Sequence, residues 1–222
     1  MQESKKEEFP TTEVFIQDFE WWMHHHRESF NQEQFDRRME YGKKVLTNYY
    51  KHYLGTFNKI VSTERRVNNI VVNNVLLKGR LDKMEFDGSY VNVVDYKTGN
   101  FENAKKKLQP PNSQNPNGGD YWRQAVFYKI LIDHYNAKDW KVNSSEFDFI
   151  EPDTKNIFQK IKLVITPADI TTVTEQIVSV WNKIQNRDFF IGCGSPDCHW
   201  CNFVKSNNLA IALHEINDEE DE

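Results

Sequence analysis

The stretch Gly79-Arg80-Leu81-Asp82-Lys83-Met84-Glu85-Phe86-Asp87-Gly88-Ser89-Tyr90-Val91-Asn92-Val93-Val94-Asp95-Tyr96-Lys97-Thr98-Gly99 decides how this chain folds. Two β-rich runs flank Asp87-Gly88, a pair suited to a two-residue hairpin loop. That turn sets Phe86 opposite Ser89, Met84 opposite Val91, Asp82 opposite Val93 and Arg80 opposite Asp95. Asp82, Asp95 and Lys97 then share the face of Met84, Phe86, Val91 and Val93, while Lys83, Glu85, Tyr90 and Asn92 take the other.

Charges projecting from an apolar face need partners. In this register the two carboxylates lie one diagonal step apart, roughly 7–8 Å at the backbone, and repel each other unless a cation sits between them. A hard divalent ion suits them: Mg²⁺ takes one or two carboxylates, keeps several waters and accepts a phosphate oxygen. Lys97, two residues beyond Asp95, is placed to orient or deprotonate an attacking water. The alternative is a structural ion pair between Asp82 or Asp95 and Arg80 or Lys97. Downstream, Asp120 is set to cap a helix running to about Tyr135, on which Gln124 and Tyr128 lie one turn apart on one face.

In this order, Gly-Arg-Leu-Asp at 79–82, Asp-Tyr-Lys-Thr-Gly at 95–99 and the helical Gln124-x-x-x-Tyr128 resemble the RecB-type nuclease domain of the PD-(D/E)XK superfamily. The likeness is to the carboxy-terminal nuclease domain of UvrD/RecB-like helicases and of AddB-type proteins. The resemblance implies Asp82, Asp95 and the Tyr96 carbonyl as ligands of Mg²⁺ or Mn²⁺, with Lys97 as the catalytic lysine. It places Gln124 and Tyr128 beside the bound strand. It further implies hydrolysis of DNA phosphodiesters, leaving a 5′-phosphate and a 3′-hydroxyl, in recombination or repair. The motor would be a helicase domain in the same or a partner chain, because the sequence has no G-x-x-x-x-G-K-[ST] loop. A competing expectation is a catalytically silent module that keeps the fold to dock DNA or a helicase.

The resemblance also calls for a histidine on a helix upstream of Asp82 in a Gly-x-x-x-His context, which this sequence lacks. His24, His25 and His26 do not replace it, since consecutive helical residues diverge by about 100°. They read as a structural or solvated helix end, and the chain reads as a fragment that begins after the missing helix.

Cys193, Cys198 and Cys201 are the only cysteines, and they fall within nine residues. An odd number with no secretory segment points to a reducing cytoplasm and to metal rather than a disulfide framework. AddB-like domains close such a triplet with a distant fourth cysteine around a 4Fe-4S cluster. Here that ligand would lie outside this chain, or His199 or an outside group would complete a zinc site. Three reduced structural cysteines without metal are the third option.

The net charge of −5 resides in the tail Asp218–Glu222; without those five acids, 28 acidic residues face 28 basic ones. Nucleic-acid contact then depends on local cations, with Arg80, Lys105, Lys106, Lys107 and Arg123 as the candidates. No apolar run approaches the roughly 18 residues of a membrane span. The order helix, strands, helix, strands, helix predicts an α/β domain, a mixed central sheet flanked by helices, with an N-terminal helical extension. The expected division is a helical part at 1–58, a nuclease core at 59–190, a cysteine segment at 191–216 and an acidic tail at 217–222. Residues 100–119 read as one long polar loop, and Trp21, Trp22, Trp122 and Trp181, at helical spacing, read as core. Trp200 and Phe203 are expected to pack over the cysteines.

Overall fold

The computed structural model describes residues 9–57, 60–188, 192 and 196–207. Two compact units divide the chain, Met1–Thr174 and Glu175–Glu222. The first opens with helix α1 (Thr12–His25), a 3₁₀ turn (Arg27–Ser29) and helix α2 (Gln32–Tyr53). Thr11 caps α1, and Asn31 with Gln34 forms a capping box on α2, so both helices begin where the sequence supplies an oxygen for the unpaired amides. His24, His25 and His26 are exposed at the end of α1.

Five strands follow, β1 (Val61–Val72), β2 (Val75–Asp87), β3 (Tyr90–Lys97), β4 (Lys141–Phe149) and β5 (Lys160–Leu163), in one sheet of order β1-β2-β3-β4-β5. All neighbours are antiparallel except β3 and β4, whose parallel pairing requires a crossover. That crossover carries a short helix α3 (Phe101–Ala104), a 3₁₀ turn (Lys105–Leu108) and helix α4 (Asp120–Asp133). The stretch read as a single polar loop thus contains two helical turns. Asn100 caps α3, and the apolar Ala104 and Leu108 are buried with Ala125, Phe147 and Phe149. Each such burial is worth roughly 1.5–3 kcal/mol for a large side chain, enough to order a segment that is otherwise polar.

Adjacent residues of a strand point to opposite faces, and this sorts the helices. Asp95 of β3 meets Tyr128 of α4, whereas the next residue, Tyr96, packs edge-on against Tyr49 of α2. β4 repeats the division: Phe147 stacks on Tyr121 of α4, and Asp148 accepts a hydrogen bond from the Tyr49 hydroxyl. Helices therefore cover both faces of a mixed sheet, the architecture expected from the order of elements.

The hairpin differs from the expected one by two residues. Asp87 pairs with Tyr90, so the loop is Gly88-Ser89, with Gly88 at φ 60°. A glycine in the first central position suits a type II′ turn. This register also joins Met84 to Val93 and Phe86 to Val91, in place of Met84 to Val91 and Phe86 to Ser89. A shift of two leaves every side chain on its face. Extending the observed Lys83–Val94 pair by one residue brings Asp82 level with Asp95 instead of a diagonal step away.

Trp122 is buried as expected, but Trp21 and Trp22 are 58% and 55% exposed. Helical spacing gives a stripe and not its partner: α1 packs on α2 through Phe19, which fills the space over Gly42, and through Phe15, which stacks on Tyr50. Helix α5 (Pro167–Gln185) starts in the first unit, where Thr166 and Asp169 cap it reciprocally, and ends in the second; Trp181 is half-buried. The second unit also holds α6 (His199–Ser206). Among the described residues, no helix is long and apolar enough to cross a membrane.

Candidate active site

The site forms where β3 ends and α4 begins. Asp95 is 4% exposed, and each of its oxygens is engaged. Oδ1 accepts from Gln124 Nε2 at 2.9 Å and from the Tyr128 hydroxyl at 2.8 Å, while Oδ2 pairs with Lys97 Nζ at 2.8 Å. Lys97 in turn donates to Gln124 Oε1 at 2.7 Å, and Gln124 Nε2 donates to the Tyr128 hydroxyl at 2.7 Å. The four side chains thus form one closed network. Gln124 is its hinge, because an amide alone among them presents an acceptor to the lysine and donors to the carboxylate.

Local sequence explains why α4 comes so close. A Cβ at Gly79 of β2 would overlap Leu131 of α4, so the bare glycine lets the helix rest on the strand. Gly119, the N-cap of α4, runs against the main chain of Lys107 and donates its N–H to Gln109 O at 2.8 Å. The expected cap, Asp120, is instead the first helical residue and ion-pairs with Arg123. Such close backbone passage leaves room only for glycine.

Asp82 comes from the neighbouring strand. Its Oδ2 accepts the Tyr96 backbone N–H at 3.1 Å, just past the end of the β2–β3 ladder. Its Oδ1 accepts no hydrogen bond among the described residues. Burial pushes the Asp82 carboxyl above the usual carboxylate range; the Tyr96 amide opposes this, and the nearby charges of Asp95 and Glu64 add to it. Tyr128 is likewise pushed up, first by burial and then by the Asp95 carboxylate, so it stays a neutral donor. Two mutually repelling carboxylates, one with an uncommitted oxygen, form a donor set that fits a hard divalent cation completed by water and backbone oxygen. Among the described residues, no group of three or more His, Cys, Asp and Glu side chains is placed to hold a metal ion. Tyr96, whose carbonyl is the third expected ligand, pairs with Asp148 across the β3–β4 ladder and brings its N–H to Asp82.

The candidate DNA-binding cations divide by engagement. Arg80 is exposed and ion-paired with Glu64, and Lys105 is ion-paired with Glu102. Arg123 donates to Asn117 O at 3.1 Å and to Gly118 O at 2.6 Å, a geometry that pins the loop before α4. Lys106 and Lys107 are exposed, and Lys107 Nζ lies 5.2 Å from the centroid of the Tyr121 ring. Tyr121 is passed over by the motif. Its signal is helical, three residues before Gln124 and seven before Tyr128 on one face.

In the second unit Cys198 stands at the N-terminal boundary of α6, without a side-chain capping bond, and Cys201 lies within it; Cys193 falls outside the described residues. A Cβ on Gly192, at φ 62°, would sit 2.9 Å from Cys201 Sγ. Trp200 and Phe203, expected to be covered by packing over the cysteines, are 73% and 49% exposed.

A protein from Eubacterium rectale, provisionally described as an exonuclease, superposes with a TM-score of 0.48 at 10% identity, over 88% of this chain and 75% of its own. A protein designated SSO0001 does so with a TM-score of 0.36 at 14% identity, over 79% and 80%. No curated protein matches the chain in sequence. The family model for the PD-(D/E)XK nuclease superfamily matches residues 5–206, and the chain belongs to that superfamily.

Proposed function

We propose that this protein is a deoxyribonuclease that hydrolyses phosphodiester bonds with Mg²⁺ or Mn²⁺, the ions superfamily members generally use. One observation carries the reading: Gln124 ties the carboxylate of Asp95 and the ammonium of Lys97 into a single buried unit. A structural ion pair would not need that third partner. Asp82 and Asp95 would hold the ion, which when bound supplies charge neutralisation at the phosphate and an acidified water. Lys97 orients the attacking water, Gln124 aligns lysine and carboxylate together, and Tyr128 keeps Asp95 in one rotamer. Burial of the network keeps its hydrogen bonds strong by holding bulk water away.

The finer placement, a RecB-type domain working on single-stranded DNA beside a helicase motor, is supported by the ordered motifs at 79–82, 95–99 and 124–128. The three-cysteine segment is proposed to take iron-sulfur or zinc with an outside ligand. A brown visible spectrum after anaerobic preparation separates the cluster from zinc.

The test incubates end-labelled single- and double-stranded DNA with the protein, with and without Mg²⁺ or Mn²⁺, beside Asp95→Ala. Cleavage that requires both the ion and Asp95 is the expected result. A second reading, a silent docking module, is favoured by a side-chain donor set of only two carboxylates among the described residues. DNA binding without cleavage under every ion condition would establish it.

A further inference from the structure

Lys97 has a third kind of neighbour besides Asp95 and Gln124. Its ammonium lies 4.3 Å from the ring centroid of Tyr121 and 5.3 Å from that of Phe147, and the two rings stack with centroids 5.2 Å apart at 26°. The cation is about an ångström nearer to Tyr121 than to Phe147, and both rings are within cation–π reach. Tyr121 is held firmly: it packs on the buried cluster of Ala104, Leu108, Ala125, Phe147 and Phe149. Its hydroxyl makes no hydrogen bond among the described residues. The ring, not the hydroxyl, is therefore what meets the lysine.

The rings matter because the ion pair is not permanent on the reading above. Asp95 Oδ1 is already occupied by Gln124 and Tyr128, so a cation held by Asp95 would compete with Lys97 for Oδ2. Lys97 then keeps Gln124 Oε1 and the aromatic pair. A lysine on four flexible carbons swings away when one of its few anchors is lost, unless a face of negative potential retains it. The Lys97 side chain is 15% exposed, so the attraction operates with little water to weaken it.

We propose that Tyr121 is a positioning residue of the active site, whose ring, stacked on Phe147, retains the Lys97 ammonium when Asp95 is engaged elsewhere. The inference rests on the assignment of Asp95 and Lys97 as the catalytic pair. It makes the π-face the functional element, so phenylalanine serves at position 121 and an aliphatic residue does not.

The experiment places phenylalanine, and phenylalanines carrying one, two or three ring fluorines, at position 121 of the full chain. Fluorination weakens the ring's negative face at nearly constant volume. Tyr121→Phe is expected to stay within about threefold of the parent in kcat, while the trifluorinated ring loses roughly tenfold with KM little changed, in graded steps. A second readout needs no catalysis. By nuclear magnetic resonance the Lys97 ε-methylene protons are shifted upfield by ring current in the parent and in Tyr121→Phe, and lose most of that shift in Tyr121→Leu, where only the more distant Phe147 ring remains. A flat fluorine series in an active enzyme, or unshifted Lys97 methylene protons in the parent, overturns the proposal. Absence of cleavage in the parent sinks the nuclease reading instead, and the resonance positions still judge the contact.

Discussion

Replacing Gln124 by leucine removes three hydrogen bonds with little change in volume. Two involve charged partners, Asp95 Oδ1 at 2.9 Å and Lys97 Nζ at 2.7 Å, and the third joins the Tyr128 hydroxyl at 2.7 Å. Bonds to charged groups are worth about 1.5–3 kcal/mol each and neutral ones about 0.5–1.5. The losses are not additive, because Tyr128 still serves Asp95 at 2.8 Å and Asp95 still serves Lys97 at 2.8 Å. A net destabilisation of about 2–4 kcal/mol is therefore expected for Gln124→Leu. If the network also holds the transition state, the same range corresponds to a loss of roughly 30- to 1000-fold in kcat/KM. Urea unfolding followed by circular dichroism measures the first, and cleavage of labelled single-stranded DNA the second. Gln124→Glu serves as a control: it keeps the acceptor for Lys97 but sets a second anion against Asp95, and is expected to lose more. An unfolding free energy within about 0.5 kcal/mol of the parent in both variants, with cleavage undiminished, would refute the network's role.

Three further outcomes follow from the geometry. On the proposed role Asp82 must be ionised to hold a cation, and its carboxyl is raised in the metal-free protein, so at subsaturating metal the acid limb of cleavage lies above the ordinary carboxylate range. The ionised form burdens the fold, with stability falling as pH rises from the unfolded value through the raised one; Glu64→Gln moves the acid limb to lower pH, most visibly at low salt. Gly119→Ala is expected to cost more than Gly79→Ala on thermal unfolding, because the added methyl meets the rigid Lys107 backbone in one case and the movable end of Leu131 in the other. Overpacking typically costs about 1–3 kcal/mol, and equal melting temperatures for the two variants would contradict the packing described. Asp148 is fully buried, with Tyr49 and Lys160 on Oδ2 and no hydrogen-bond partner on Oδ1 among the described residues. Tyr49→Phe removes one of its two partners, and a loss of about 1–3 kcal/mol in urea unfolding is expected.

Most of what places the site was legible locally. Period-two patterning around Asp87 and Gly88 gave the strands and their faces, even though the loop proved to be Gly88-Ser89. An even slip preserves sidedness, which is why the carboxylates and Lys97 converge in spite of it. The level pairing of Asp82 with Asp95 was not legible, because one glycine between two turn-forming residues is compatible with either loop. Nor was the burial of Ala104 and Leu108: the surrounding lysines and prolines dominate a local reading, and only the sheet supplies Phe147 and Phe149 for them to cover. Trp21 and Trp22 show the converse limit, since helical spacing marks a stripe without saying which neighbour, if any, meets it. The packing of Tyr121 on Phe147 joins residues 26 positions apart, beyond the reach of any local pattern.

Asp82 answers to two masters at once. One oxygen fastens the point where β2 and β3 part, by way of the Tyr96 amide, and on the function proposed above the other serves the cation. The seam selects side-chain length and the reaction selects charge, so a glutamate, one carbon longer, would meet the second demand while prying at the first. Asparagine would do the reverse, keeping the fastening and silencing the chemistry, and an inactive relative that retained its shape could arise by that single exchange.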